Sequence, residues 1–296
     1  MHNSLNRAPA TDHSTPRTGV ILGIVLCCCI PAEAFAADGV VKITQAVDAS
    51  WVDRLLAVAQ RELLEPGDWV SDTNPGGAAD RMFSTRYLWR HDPTVRDFVF
   101  ESGIAELVGD LVGSTSMRFY FDHLLVKEPD TSAPTPWHQD IPYWPFLGKQ
   151  IASAWVALTP STVAQSSLEF VRGSSNWDAY YAPESFDPTE AGWTADFEGE
   201  KVPDIDAARA DYDIVGFDVE PGDALIFSSW TLHGAPGNSG PNRRAAFSTR
   251  WLGDDARWSP HPGCDPIVRQ RDVSVDPGAY PADDDRFPLA WSLDSK

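Results

Sequence analysis

The sequence predicts a mainly β protein with flanking helices, folded as a jelly-roll (cupin-like) barrel. After Gly113, short stretches of alternating apolar and polar residues are separated by Gly/Pro turns. Two amphipathic helical stretches precede that region, and their apolar stripes need a sheet to cover. Twelve Trp and 24 Pro among 296 residues also suit strands and loops better than a helical bundle. A chain of this length can close one large core.

The N-terminus is polar over residues 1–19, with Arg7 and Arg17, then apolar from Val20 to Ile30. Ala34-Phe35-Ala36 has the small-residue pattern of a signal-peptidase site. The apolar run is too short for a stable membrane span. Residues 1–37 are therefore expected to be an extension, signal-like or disordered, ahead of a single domain over residues 38–296. Pro31 to Val41 also reads as a short helix that turns at Gly39 into a first strand. Asp48-Ala49-Ser50 opens a helix with a capping-box pattern from Ser50 to Asp53. Trp51, Leu55, Val58, Ala59 and Leu63 form its stripe, and Pro66-Gly67 end it. A second helix has Pro93 at its first position, an apolar stripe from Val95 to Leu111, and a stop at Gly113.

The periodicity then changes. Met117 to Lys127 alternates as a long strand, and Ala133-Pro134-Thr135-Pro136 bends the chain toward His138. Further strands are expected at 151–158, 168–171, 214–219, 224–228 and 245–252. The polar, Pro-containing stretch 177–211 reads as an insertion or lid. Trp258 to Trp291 reads as an irregular tail folded over the barrel, with no role assigned to His261.

Charge and cysteine content narrow the function. A formal net charge of −20 with no Lys/Arg run argues against nucleic acid and mildly against a polyanionic substrate. Cys27, Cys28 and Cys29 sit in the N-terminal apolar run and only Cys264 lies in the body, so neither a disulfide framework nor a zinc pattern can be built. The expected partner is a small molecule; the oligomeric state is not legible.

The chemistry centres on Trp137-His138-Gln139-Asp140. On an extended segment a histidine and a carboxylate two positions apart share a face. With a distant His233 they complete a two-histidine, one-carboxylate facial triad, which holds non-haem Fe(II) and leaves coordination positions open. In a chain with seven His and 43 acidic residues, His-x-Asp alone is a weak signal. Its context strengthens it.

The segments Asp38-Gly39-Val40-Val41, Leu124-Leu125-Val126-Lys127, Trp137-His138-Gln139-Asp140, Leu168 to Ser174, Gly222-Asp223 to His233-Gly234, and Asn242-Arg243-Arg244-Ala245 together resemble the phytanoyl-CoA dioxygenase family, in order, over about residues 38–252. The resemblance implies a double-stranded β-helix, with Fe(II), 2-oxoglutarate and O2 as its cofactor and cosubstrates. It places His138, Asp140 and His233 on the iron ligands. Arg244, eleven positions after His233, falls on the arginine that grips the far carboxylate of 2-oxoglutarate. A guanidinium fork suits a carboxylate; Arg243 competes for the role, because neighbouring strand residues face opposite ways. The chain departs from the family at Arg172-Gly173, where Pro-Gly is usual, and at Ala235, where some members carry a hydroxyl.

The presence of Asp140 favours hydroxylation or a related oxidation over halogenation, with succinate and CO2 released. Trp155 is a candidate wall for the cosubstrate. Tyr143 and Trp144, with Phe146, are candidates for the substrate mouth. Tyr120 and Lys127 are further substrate candidates on the strand leading to the site, Lys127 as a group that steers an anion or is merely solvated. His123 is not expected to be a ligand. The alternatives are a metal-dependent jelly-roll isomerase or lyase that does not use 2-oxoglutarate, and a binding barrel without catalysis. Dependence on Fe(II) and a ketoacid makes the cytoplasm the expected compartment, with export through the signal-like segment 20–36 as the alternative.

Overall fold

The computed structural model describes residues 29–183, 197 and 199–295. The chain enters through α1 (Cys29–Asp38) and passes at Gly39 into β1 (Val40–Ile43). Gly39 has φ +77°, and a Cβ there would lie 2.4 Å from Thr231 Oγ1, so this entry needs glycine. Phe35 is buried in the main core. Residues 29–37 of the expected extension belong to α1; residues 1–28 lie outside the described residues.

α2 (Ala49–Leu64) is capped by Asp48, whose carboxylate accepts from the Trp51 N–H, while Ser50 Oγ donates to the same carboxylate. The cap thus lies two residues before the start of the expected capping box, because it is the Asp48 carboxylate that accepts a free N–H of the first turn. β2 (Val70–Asp72) and β3 (Met82–Arg86) follow as an antiparallel pair. The single second helix expected from sequence is two: α3 (Pro93–Glu101) and α4 (Ile104–Val112). Gly103, at φ +80°, breaks them, and the apolar stripe continues across the break.

The remaining strands are β4 (Ser116–Lys127), β5 (Thr135–His138), β6 (Phe146–Leu147), β7 (Ile151–Ala157), β8 (Glu169–Val171), β9 (Ile214–Gly216), β10 (Ala224–Ser228), β11 (His233–Ala235), β12 (Arg244–Leu252), β13 (Arg257–Trp258) and β14 (Leu289–Ser292). The larger sheet runs β1-β10-β7-β12-β4-β3-β2, with β14 added at the start of β4; the smaller runs β5-β11-β8-β9, and β6 pairs with β13. All pairings between these strands are antiparallel, the mainly β jelly-roll arrangement.

β12 shows how the two faces divide. Ala245, Phe247 and Trp251 belong to the core shared with the helices, and the Phe247 ring stands edge-on to Phe98 of α3 at 5.5 Å. Ala246 belongs to a separate inner cluster with Trp155, Ala157, Phe170, Leu225 and Phe227, between the two sheets. The site residues described below project into that inner space. Residues 184–196 and 198 of the predicted 177–211 insertion lie outside the described residues. Of its described part, Tyr181 and Ile205 pack with Val171 and Leu232.

Phe247→Ala should cost about 3–5 kcal/mol, because a fully buried ring between sheet and helix would leave a cavity. Urea denaturation monitored by far-UV dichroism measures this; a loss below about 1 kcal/mol would mean the helices contribute little to holding the sheet.

Candidate metal centre

β11 lies between β5 and β8, and its pairing register puts His233 directly opposite His138. Opposite residues of an antiparallel pair project to one face, and here the imidazole centroids are 4.1 Å apart. Asp140 arrives differently from the sequence expectation. His138 ends β5, and Asp140 has helical backbone angles (φ −73°, ψ −37°) at the start of a 3-10 turn over Ile141–Tyr143. The intervening Gln139 turns the other way, donating to Ala179 O and Trp230 O. One Asp140 carboxylate oxygen lies 3.6 Å from His138 Nε2 and 3.9 Å from His233 Nε2. All three side chains are buried, and one ligand atom from each falls within 4.8 Å of the others.

Surrounding groups select which atoms face the centre. Nδ1 of His138 lies 2.8 Å from Pro136 O, and Nδ1 of His233 lies 2.9 Å from Thr231 O. A carbonyl oxygen only accepts, so both Nδ1 atoms carry the proton and both Nε2 lone pairs turn inward. The outer oxygen of Asp140 accepts from Ser153 Oγ at 2.6 Å and lies 3.5 Å from Arg250 Nε. Burial would raise the Asp140 carboxyl, but Arg250 and the two imidazoles overturn this and hold it well below the usual range. Burial, then His138, pushes His233 down to about 3. Two imidazole Nε2 atoms turned toward an ionised carboxylate form a donor set matched to a divalent transition metal.

Arg244 and Arg243 separate as neighbouring strand residues must. Arg243 is half exposed and binds Glu128 through contacts as short as 2.6 Å. Arg244 is buried and donates to Leu125 O at 3.3 Å and to Ser166 Oγ at 3.2 Å. Its Nε has no partner and no carboxylate faces it among the described residues. Burial lowers it to about 10, so it remains a cation at neutral pH. Its guanidinium lies 5.8 Å from the buried Trp155 ring.

The remaining candidates are distributed as follows. Tyr143 stands edge-on to His138 at 5.6 Å, and Trp144 lies 5.6 Å from the Arg250 guanidinium. Tyr120 is fully buried among Phe121, Trp144, Phe146 and Phe287, an aromatic core position. His123 is half-buried and outside the three-residue donor group. Lys127 is fully buried, far from the solvated strand end considered above. Sequence reasoning missed Ser153, Ser166 and Arg250. Arg250 was findable, because it shares strand parity with Arg244; Ser166 lies in an irregular turn at φ +70°, where no periodicity marks it. It sets a hydroxyl against Arg244 although Ala235 has none.

The phytanoyl-CoA dioxygenase family model matches residues 35–246. The chain belongs to this family. It is 28% identical over 170 residues to a probable phytanoyl-CoA dioxygenase of Caenorhabditis elegans, covering 55% of this chain and 52% of that protein. It is 29% identical over 153 residues to a 1-deoxypentalenic acid 11-beta-hydroxylase of Streptomyces arenae, covering 49% and 48%. The chain thus spans about half the length of the curated relatives it matches. The epimerase SnoN from nogalamycin biosynthesis, solved with Fe3+, alpha-ketoglutarate and nogalamycin RO, superposes with a TM-score of 0.66 at 25% identity, covering 89% of this chain and 98% of SnoN. Family, fold and donor set place the matched region among the non-haem iron, 2-oxoglutarate-dependent oxygenases. Among the described residues no helix is long and apolar enough to cross a membrane.

His233→Ala should abolish stoichiometric binding of Fe(II), measured by anaerobic equilibrium dialysis. Ser153→Ala should keep the fold and weaken metal binding about 10- to 100-fold, because the carboxylate loses the group that orients it.

Proposed function

We propose that this chain oxidises a C–H bond of a small organic or lipid-like substrate, with hydroxylation as the leading outcome and 2-oxoglutarate converted to succinate and CO2. One observation carries the reading: a buried triad that includes a carboxylate shares its inner space with a buried arginine that no acidic residue neutralises among the described residues. His138, Asp140 and His233 would hold iron, and bound iron would supply the redox chemistry that uses O2 and 2-oxoglutarate.

The protein's own contribution is position and dryness. Arg244 would grip the far carboxylate of the cosubstrate against the Trp155 wall. Ser153 and Arg250 keep one oxygen of Asp140 occupied, leaving the other to face the histidines. Phe170 and Phe227 pack on the His233 ring and exclude water from that side. Tyr143 and Trp144, just after Asp140, would form the substrate side. Similar proteins include one named a hydroxylase, an epimerase and a carbocyclase, so the outcome on the substrate depends on how that side presents the C–H bond.

Anaerobic addition of Fe(II) and 2-oxoglutarate should give the weak visible charge-transfer band of the chelate; folded protein lacking it would overturn the reading. Arg244→Gln should weaken 2-oxoglutarate binding by about 30-fold or more without loss of Fe(II) binding, as expected when one partner of a buried charge pair is removed. Succinate release stimulated by a metabolite from a screened panel identifies the substrate.

A further inference from the structure

Burial alternates along β3 and β4, and the inward face is the accessible one. Phe83 and Thr85 of β3 are buried, whereas Met82, Ser84 and Arg86, on the other face, are half-buried. β4 repeats the pattern: Leu124 and Val126 are buried, His123 and Leu125 half-buried. The register joins the two accessible rows, with Arg86 opposite His123 and Ser84 opposite Leu125. On its other side His123 is opposite Ser248 of β12. Opposed residues share a face. Ser248 Oγ accepts from Arg250, whose guanidinium lies beside Asp140. The strip from Arg86 through His123 to Ser248 therefore leads from the surface to the metal centre.

The polar groups on this strip are unsatisfied. His123 Nε2 is covered, yet no protein group bonds it among the described residues. A buried polar nitrogen left unpaired is costly. Arg86 donates its backbone N–H to Trp69 O, but its guanidinium enters no ion pair among the described residues. Asp265 comes to this mouth from the C-terminal tail, its N–H donating to Tyr143 O at 2.7 Å. Burial raises the Asp265 carboxyl against the pull of Arg86. Its oxygens already accept from the Ile267 N–H at 2.9 Å and from Tyr87 OH at 3.2 Å. Apolar groups flank the strip: Leu125 along β4, and Phe121 and Trp144 around the Arg250 guanidinium. A few placed polar groups in an apolar setting are what orients a small ligand.

We propose that the substrate is a small organic acid. Its carboxylate is held at this mouth by the Arg86 guanidinium and the His123 Nε2–H, and its hydrocarbon part lies against Phe121, Leu125 and Trp144 toward the metal. The inference names the substrate class of the oxygenase reading above and rests on it. The anion concerned is not the cosubstrate. Arg244 stands opposite Lys127, four residues beyond His123 on β4, or about 13 Å along the strand. One guanidinium fork suits one carboxylate, and a polyanion would meet the field of a chain charged −20.

The test is calorimetric titration of linear, cyclic and aromatic carboxylic acids, each beside its primary amide, into anaerobic protein loaded with Fe(II) and 2-oxoglutarate. The charge-transfer band confirms loading first. At least one acid should bind wild type about 10- to 100-fold more tightly than its amide. Arg86→Gln should cut that preference to about threefold or less while the band persists. Arg86→Lys, which keeps the charge without the fork, should retain part of it. His123→Phe should weaken the acid about 3- to 10-fold and the amide less. If no acid binds more tightly than its amide, or if the preference is unchanged in Arg86→Gln or in His123→Phe, the inference is overturned with the cosubstrate site intact. A folded wild type that gives no band instead overturns the reading beneath it.

Discussion

The pairing of β5 with β11 is the constraint on which the rest depends. These strands have four and three residues, yet their register alone brings two histidines from distant parts of the chain within touching distance. Gly234 assists: a Cβ there would lie 3.0 Å from Thr135 O, so a larger residue would press the strands apart. The third donor is held from the opposite sheet, because Ser153 of β7 and Arg250 of β12 both reach Asp140. The centre thus bridges both sheets, and the small sheet cannot shift without breaking contacts to the large one.

β12 gives the inner space its electrical polarity. Arg250 and Arg244 face inward six residues apart, and each meets a different environment. Arg250 has the Asp140 carboxylate beside it and lies near Phe121 and Trp144. Arg244 has only a carbonyl, a hydroxyl and a tryptophan face. One pole is internally compensated and the other is left positive, although the chain as a whole carries a charge of −20. A buried field of this kind is local, since low polarisability strengthens it while solvent screens the acidic exterior.

Local patterning made much of this legible. The long β4, the strands at 151–157 and 244–252, and the turn at Gly39 follow from alternation and glycine placement. The donor residues stood out by type and spacing, and Arg244 by its distance from His233. Other features were not legible, for physical reasons. The α3–α4 break hid because both halves bury one continuous stripe, so Gly103 looked like a tolerated interior glycine. β2, β3 and β14 are short, and their pairing partners, not their own sequence, make them strands. Lys127 looked like a strand-end lysine in water; its burial comes from the loop carrying Pro236 and Asn238, which no local pattern reports. Ser166 escaped because a left-handed turn residue carries no period.

The neighbouring couples Lys127–Arg244 and Glu128–Arg243 lie on opposite faces of one strand pair. Sliding β4 past β12 by a single position would exchange faces and carry the glutamate indoors, where it would quench the arginine by an internal salt link. A misaligned barrel would be self-neutralised, and the seat proposed for the ketoacid would already be taken. Faithful alignment of these two strands during folding is accordingly what decides whether a finished molecule contains the proposed cosubstrate seat.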